Sequence, residues 1–386
     1  MSTLSLARSL FALTAGTHFL FVALTLGLAT LVAIMQTRAV FGDSAVHLRM
    51  VRFWGQLYVI NYAVGIVTGL LMEFQFGLNW PGLTDQARDV FGAPLAMETL
   101  VAFFIESTFL GLWIFGWDRL NRYAHLALIW VVTLTAYASA LFIMLANSFL
   151  QNPVGSRVEN GTLRLDDFGA LFANPALAAS LPHVLSAALV TGGFFVVGVS
   201  AWHFLKRTTE VEFFRRSMRL GVVAALLGSI FVVNQGFAQF GELAKYQPDK
   251  LKDAGVGLPL GLMIMLGFVM LLCALLGALL LVRNWITKAR FLHYLMVAAI
   301  PLPFAAAILG WLVREIGRQP WLVWGKLRTA DAIADVPAGQ ILFSFIAFSL
   351  LFAALAVADW VLMARVAKRG PEPVEEPAGQ PVLSGV

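Results

Sequence analysis

Long apolar segments recur along this chain of 386 residues, and they constrain its fold more than any other feature. The longest of them exceed the roughly 18 residues that a helix needs to cross about 30 Å of hydrocarbon. Only 13% of the residues are charged, whereas about 25% are charged in a typical soluble domain. The chain has too few charges to cover a water-exposed surface, so the sequence predicts an all-α integral membrane protein.

The apolar segments predict a bundle of about nine transmembrane helices. We expect them at residues 13–36, 54–77, 94–116, 125–148, 182–205, 218–240, 258–282, 292–313 and 340–364. A short amphipathic stretch, Leu4 to Phe11, precedes the first. We assign residues 1–368 to the membrane domain and 369–386 to a disordered cytoplasmic tail, because the tail is rich in Pro, Gly and Glu and lacks apolar periodicity.

The distribution of basic residues predicts the orientation in the membrane. Most of the 27 lysines and arginines fall in alternate loops, including the one that holds Lys206, Arg207 and Arg215. Basic loops stay in the cytoplasm, so the N-terminus is expected outside and the C-terminus inside. The net charge of +5 then reflects the orientation in the membrane and does not indicate nucleic-acid binding. The single cysteine, Cys273, excludes an internal disulfide and a CxxCH haem-attachment site.

Two of the six histidines lie inside apolar segments, near the predicted outer ends. His18 stands in ALTAGTHFLF and His183 in ASLPHVLSA. Either one alone is more often a hydrogen-bonded core residue than a ligand. Two at the same depth of one bundle favour axial ligation of haem iron by neutral imidazole.

Two glutamates, Glu98 and Glu106, lie in the third apolar segment, about 12 Å apart along an ideal helix and on broadly the same side. A charged side chain at the centre of a membrane helix costs about 2.5–3.5 kcal/mol on insertion scales. We therefore expect a proton relay, with a glutamate bonded to a neighbouring hydroxyl as the alternative. Glu73 is less informative, because it ends the second segment and can face water.

Further candidates stand at the outer ends of the seventh and eighth segments. The thioether of Met265 can serve as the sixth ligand of a low-spin haem, although plain packing is the commoner role. Trp311, Glu315 and Arg318 lie close together in GWLVREIGRQPW. Arginine can bind haem propionates through two hydrogen bonds, and a carboxylate can approach a high-spin iron.

The candidate ligands thus come from five segments and share one depth, the outer third of the bundle. This convergence predicts redox cofactors near the outer face, supplied with protons through Glu106. The residues concerned are His18, Glu98, His183, Met265 and Glu315.

A family resemblance runs in order from Arg8 to about Arg365, in the segments FALTAGTHFLFVALTLGLA, MEFQFGLNW, FGAPLAMETLVAFFIESTFLGLWIFGWDRL, ANSFLQNP and GRQPW. These segments resemble the signatures of subunit I of cytochrome bd quinol oxidases. The resemblance implies an all-helical subunit with nine transmembrane helices in the bacterial cytoplasmic membrane. It also implies two b haems and a haem d, reduction of dioxygen to water by quinol, and a partner subunit II, with a small single-helix subunit as a further candidate.

By position in that resemblance, His183 and Met265 match the axial ligands of the low-spin haem b, where electrons enter. His18 and Glu315 match ligands of the two high-spin haems. Which of these holds haem d, and whether haem b replaces it, stays open. Glu98 matches a carboxylate at the oxygen-reducing pair.

The same resemblance implies a cytoplasmic proton path at Glu106, with Ser139 nearby on the fourth helix. It matches Trp311 and Arg318 to residues packed against the haems.

Two departures from the family pattern surround the low-spin haem. The segment between the sixth and seventh helices, where relatives carry a long quinol-binding loop, is short here. Lys250 in QPDKLK matches the loop lysine, but Gly255 stands where a glutamate is expected. Met263 replaces an arginine usual two residues before the ligand methionine.

These departures leave the electron donor open between quinol and a donor such as a cytochrome c. Two further alternatives are a haem-binding electron carrier without oxygen reduction and a non-redox transporter or assembly component. The intact Glu98, Glu106 and GRQPW elements argue against both.

Overall fold

The computed structural model of the chain describes residues 2–42, 44–252, 254–282 and 285–373. Within these ranges, nine helical segments are long and apolar enough to cross a membrane, which confirms the predicted fold class and helix number. They are Thr3–Phe41, Ala45–Asn79, Pro81–Phe115, Arg122–Gln151, Pro175–Leu205, Val211–Tyr246, Gly255–Leu281, Arg290–Ile316 and Ala338–Arg369.

Two of these spans, the third and the eighth, are made of more than one element, and short helices and hairpins occupy the loops. The helices are α1 Thr3–Phe41, α2 Ala45–Asn79, α3 Pro81–Ala87, α4 Ala93–Met97, α5 Phe104–Phe115, α6 Arg122–Gln151, α7 Phe168–Phe172, α8 Pro175–Leu205, α9 Val211–Tyr246, α10 Ala254–Leu281, α11 Arg290–Ala298, α12 Leu302–Ile316 and α13 Ala338–Arg369. The strands are β1 Ser156–Glu159, β2 Thr162–Leu165, β3 Trp321–Val323 and β4 Leu327–Arg328.

The helix α1 lies at the centre of the bundle and contacts α2, α6, α8, α12 and α13. Its N-cap is Ser2, whose hydroxyl accepts a hydrogen bond from the Ser5 amide at 3.2 Å. It includes the amphipathic stretch Leu4 to Phe11, which the sequence placed before the first helix. Where α1 crosses α8, a Cβ on Gly27 would lie 2.3 Å from the carbonyl oxygen of Ala188. Glycine is therefore needed for this close approach.

The third span is the most irregular. π-helical turns over Arg88–Gly92 and Glu98–Phe103 separate α3, α4 and α5. A π turn widens the helix by one residue and is frequent at functional sites. The second of these turns begins at Glu98, so this carboxylate stands where the helix departs from ideal geometry.

The eighth span bends between α11 and α12, next to Pro301 and Pro303. Proline lacks the amide donor that would continue the first helix. The bend lets α12 carry Glu315 towards the interior at one end of the bundle.

A hairpin of β1 and β2 connects α6 to α7, and its turn residues Asn160 and Gly161 have φ values of 50° and 78°. Two positive φ values at Asn-Gly are typical of the tight turns that suit twisted strands. Leu163 of β2 packs with Leu6 and Leu83 in one apolar cluster. The hairpin therefore lies at the same end of the bundle as the start of α1.

At the opposite end, a second cluster includes Trp54 and Phe213. Buried histidines here serve structural contacts: His125 bonds the Trp113 carbonyl at 2.8 Å, and His203 bonds the Ala367 carbonyl at 2.8 Å. The helix α13 continues to Arg369, the residue at which the predicted tail begins. Residues 374–386 lie outside the described part of the chain.

Candidate functional site

A cavity of about 850 Å³ lies inside the bundle between these two apolar clusters. Its volume is near the upper end of the roughly 300–1,000 Å³ found for small-molecule and cofactor sites. Side chains from α1, α2, the third span, α6, α8, α9, α10 and α12 line it. Nine of the sequence-predicted site residues are on its wall: His18, Glu98, Glu106, Ser139, His183, Lys250, Trp311, Glu315 and Arg318.

Hydrogen bonds fix the tautomer of His18. Its Nδ1 lies 2.9 Å from the hydroxyl of Thr68. That hydroxyl donates its own hydrogen to carbonyl oxygens of α2, among them Gly65 at 2.9 Å. The Thr68 oxygen therefore accepts from Nδ1–H, and the free lone pair of His18 is on Nε2. This is the arrangement expected of a metal-binding histidine whose second nitrogen is held by a neighbour.

His183 is fixed in the same way by a different partner. Its Nδ1 lies 2.9 Å from the carbonyl oxygen of Val232, which can only accept. Nδ1 therefore carries the hydrogen and Nε2 the lone pair. A Cβ on Gly236 would lie 3.2 Å from the His183 ring, and one on Gly69 would lie 3.1 Å from the His18 ring. Each imidazole thus stands against a glycine that leaves room for it.

A chain of carboxylates and hydroxyls lines the wall beside His18. The Ser139 hydroxyl donates to Glu98 at 2.6 Å. The Thr99 hydroxyl donates to Glu73 at 2.7 Å and lies 3.3 Å from Glu98. Glu73 lines the cavity, so it belongs to this network.

The partner of Ser139 differs from the prediction, which placed it with Glu106. The α6 helix runs antiparallel to the third span. Ser139 is as far from the start of α6 at Arg122 as Glu98 is from the end of α5 at Phe115. The two side chains therefore meet at the same level, while Glu106 lies two turns deeper.

Glu106 is 6% exposed, and its Oε1 has no hydrogen-bond partner within the described residues. Its electrostatic neighbours include Glu98 and the cavity-lining Tyr62. Since buried polar atoms are nearly always satisfied, this oxygen is expected to bond water. Glu106 and Glu98 are thus two carboxyl groups on one cavity wall, about two helical turns apart along the third span.

Glu315, Arg318 and Trp311 form the end of the cavity at α12. Arg318 is 2% exposed, and its Nη2 donates to Glu315. Its Nε and Nη1 are buried without a partner among the described residues. Trp311 packs against Phe11 of α1, with ring centroids 6.2 Å apart. Two guanidinium nitrogens with unsatisfied hydrogens on a cavity wall are suited to an anionic group.

Lys250 is 5% exposed and lies in the short segment between α9 and α10. Its Nζ donates to Gln151 at 3.0 Å and to the Arg314 carbonyl at 3.2 Å. Burial, followed by the charges of Arg314 and Arg318, lowers the pKa of the Lys250 ammonium to about 7. Quinol contact by Lys250 stays a prediction.

Met265 is the one predicted site residue that the structure does not bring to the cavity wall. Its side chain is 52% exposed, whereas Met263 lines the cavity with Ile264 and Phe268. Residues two apart in a helix point in nearly opposite directions. The helix α10 therefore turns Met263 inward and Met265 outward, a correction to the predicted position of the thioether.

The fold and this site define a multi-pass membrane protein with an internal cavity of cofactor size. Two imidazoles and several carboxylates face that cavity. Comparison with known families gives the particular class. The model of the family "Cytochrome bd terminal oxidase subunit I" matches residues 6–255 and 259–371, so the chain belongs to that family.

Individual relatives agree over the full length. The chain is 38% identical to cytochrome bd ubiquinol oxidase subunit 1 of Bacillus subtilis, with all of both chains covered. It is 31% identical to cytochrome bd-II ubiquinol oxidase subunit 1 of Escherichia coli, covering 98% of this chain and 99% of the relative. A chain in the solved structure of bd oxidase from Geobacillus thermodenitrificans superposes with a TM-score of 0.88 at 27% identity, covering 96% and 99%.

Sequence reasoning missed residues whose role depends on contacts between helices. Thr68 is an ordinary threonine in the sequence, and only the packing of α1 on α2 brings it to His18. Gly65 and Gly69 are spaced four apart, a pattern that indicates close helix packing. That pattern did not indicate that Gly69 makes room for a ligand. Glu73, less informative in the sequence because its segment ends there, stands on the cavity wall.

Proposed function

We propose that the chain is the haem-binding catalytic subunit of a quinol-oxidising, oxygen-reducing membrane enzyme. The observation that carries this proposal is the shared tautomer of His18 and His183. Both present an unprotonated Nε2 on the wall of one cavity, with Nδ1 held by a neighbour. Membership of the bd oxidase family supports haem as the group that these imidazoles hold.

The residues present fit a haem-type group on two counts. The glycines Gly69 and Gly236 stand beside the imidazoles where a Cβ would crowd the ring. Arg318 offers unsatisfied donors suited to a propionate. When bound, haem supplies electron storage and the site at which dioxygen is reduced. We propose two b haems and a haem d, with haem b as the alternative to haem d.

In this proposal His183 holds the low-spin haem, and His18 and Glu315 hold the other two. Glu98 stands beside the oxygen-reducing pair, and Trp311 packs against it. The protein groups keep the haem ligands oriented and exclude bulk water from the centre of the bundle.

The protons for oxygen reduction are carried by carboxyl groups of the chain. Glu106 takes up a proton from the cytoplasmic side and passes it outward to Glu98. Ser139 donates to Glu98 in the resting arrangement, at 2.6 Å. This hydrogen bond orients the Glu98 carboxyl group. Because a hydroxyl can accept one proton while it donates another, Ser139 can also pass protons between Glu98 and water.

The sixth ligand of the low-spin haem is proposed to be a thioether of α10. The family resemblance assigns Met265, while the structure turns Met263 to the cavity. Leucine replacements, Met263→Leu and Met265→Leu, separate the two. We expect the first to abolish the methionine–iron charge-transfer band and the second to retain it; the reverse result would restore Met265.

The donor and the partners follow from the family. We propose quinol as the donor, a second multi-helix subunit beside this one, and the bacterial cytoplasmic membrane as the location. The orientation remains as predicted from the basic loops, with the N-terminus outside. Exposed apolar side chains on α10 and α13, such as Leu279 and Phe343, are compatible with contact to lipid or to another subunit.

Oxygen uptake by the purified complex tests this function. Ubiquinol should support uptake, and His18→Ala should abolish it, because that variant lacks an axial ligand. Reduced cytochrome c serves as the alternative donor. Oxygen uptake with cytochrome c but not with ubiquinol would identify cytochrome c as the donor. The absence of oxygen uptake with both donors would contradict the proposed function.

A further inference from the structure

Three cationic side chains line the end of the cavity at α12, and they outnumber their acidic partners. They are Lys250, Arg314 and Arg318, and all three line the cavity. Within the described residues, the ion pair of this group is Arg318 with Glu315. Burying a charge without a counter-charge is costly. The excess positive charge of the group therefore favours the binding of an additional anion.

The guanidinium group of Arg314 is hydrogen-bonded through part of its donors. Its Nε donates to the side-chain oxygen of Asn147, and its Nη2 lies 3.5 Å from the hydroxyl of Ser148. Its Nη1 makes no hydrogen bond with any residue that the structure describes. These contacts fix the guanidinium plane against the end of α6 and leave one NH₂ group to bind a ligand.

Lys250 is aligned with Arg314 by a second set of contacts. Its Nζ reaches the Arg314 carbonyl at 3.2 Å, and Gln151 reaches the same carbonyl at 3.4 Å. A Cβ on Gly317 would lie 2.5 Å from the Lys250 side chain. The absence of a side chain at Gly317 therefore leaves room for the Lys250 side chain. The Lys250 ammonium is bound to the backbone of the residue that carries the guanidinium, Arg314.

A purely structural role would satisfy the end of α6 with neutral amides. Gln247 already does so by donating to the Gln151 carbonyl, and that contact needs no charge. A guanidinium and a basic amine that line the same end of a cofactor-sized cavity indicate a function in addition to packing.

The position of the group assigns it to the His183 side of the cavity. Arg314 is within electrostatic reach of the His183 ring. Gly310, one turn earlier in α12, faces Met263, since a Cβ there would lie 2.9 Å from its sulfur. Residues four apart share a helix face, so Arg314 and Gly310 lie on one face of α12, and the Arg314 side chain reaches from there to the end of α6.

We infer that Arg314 and Lys250 together bind a propionate carboxylate of the haem held by His183. This inference rests on the proposed function. Arg314 offers Nη1, and Lys250 supplies a second hydrogen-bonding group beside it. A bound carboxylate would supply the missing negative charge, and the fixed guanidinium would favour the haem with its additional electron.

The test uses the complete membrane complex with haem labelled by ¹³C at its propionate carboxyls. Redox-difference infrared spectra report the labelled carboxylate, and spectroelectrochemical titration reports the midpoint potential of the low-spin haem. The variants are Arg314→Gln, Arg314→Lys and Lys250→Gln. Arg8→Gln is the matched control, because Arg8 also lines the cavity but is exposed at the start of α1.

We expect Arg314→Gln and Lys250→Gln to shift the labelled band and to lower the midpoint potential. Arg314→Lys should retain most of that potential, and Arg8→Gln should change neither quantity. If Arg314→Gln loses the low-spin haem while Arg314→Lys keeps it, the need for the charge is supported.

Unchanged band and potential in both Arg314→Gln and Lys250→Gln would overturn the inference, as would an equal shift in Arg8→Gln. An unlabelled carboxylate or lipid phosphate at the site would leave the labelled band unmoved. A wild-type complex without haem would instead overturn the proposed function, so the two failures are distinguishable.

Discussion

The hydrogen bond from His18 to Thr68 gives the sharpest quantitative prediction. Replacing Thr68 by valine keeps the shape of the side chain and removes the oxygen that accepts from Nδ1–H. A buried donor left without a partner costs about 1–3 kcal/mol. The imidazole would relax to another tautomer or rotamer, and haem binding would have to reverse that relaxation.

The expected consequence is haem affinity at the His18 site that is weaker by roughly 5- to 150-fold, from the same range of free energy. This agrees with the 10–100-fold losses typical when a group supporting a metal ligand is removed. Haem transfer from the purified complex to a soluble haem scavenger measures it, with the bands of the reduced spectrum identifying which haem is lost.

Thr17→Val is the matched control. Among the residues that the structure describes, the partner of the Thr17 hydroxyl is the Leu13 carbonyl of its own helix, at 2.7 Å. Thr68→Ser keeps the acceptor and should retain haem. If Thr68→Val releases haem no faster than Thr17→Val, the tautomer argument for His18 is refuted.

Two further predictions concern the proton path and the packing of the bundle. Ser139→Ala should slow oxygen reduction roughly tenfold, because the bond to the Glu98 carboxyl is lost. Ser107→Ala removes a hydroxyl that bonds its own helix at 2.7 Å, so it should not slow oxygen reduction. Equal rates of oxygen reduction in the two variants would contradict the role of Ser139. Gly27→Ala should destabilise the protein by about 1–3 kcal/mol through overpacking against α8. Gly111→Ala meets nothing within 4 Å, so an equal melting temperature for the two variants would contradict the close crossing.

The bundle itself was predictable because hydropathy depends on composition alone. The helix number was confirmed, but the helices are longer than predicted. The first runs from Thr3 to Phe41 instead of 13–36. Hydropathy identifies the lipid-embedded part, whereas a helix continues into water wherever its backbone remains paired. The Asn160–Gly161 turn had a recognisable sequence signal that was not used.

The site was predictable as a set of residue types at one depth, and less so as a set of contacts. His18, His183 and Glu98 could be selected because polar groups in a membrane segment are rare. The partner of Ser139 depends on the relative level of two antiparallel helices, which a single sequence does not encode in any local pattern. The orientation of Met265 depends on the rotation of α10, which is set by its neighbours.

A reduced-minus-oxidised optical spectrum of the purified complex tests the central claim most directly. Ubiquinol is added first and dithionite second, and oxygen is then readmitted. We predict that ubiquinol reduces haem bands of both b and chlorin type and that oxygen reoxidises them. Reduction by dithionite alone would contradict quinol as the donor. A spectrum without haem bands would contradict the assignment of His18 and His183 as iron ligands.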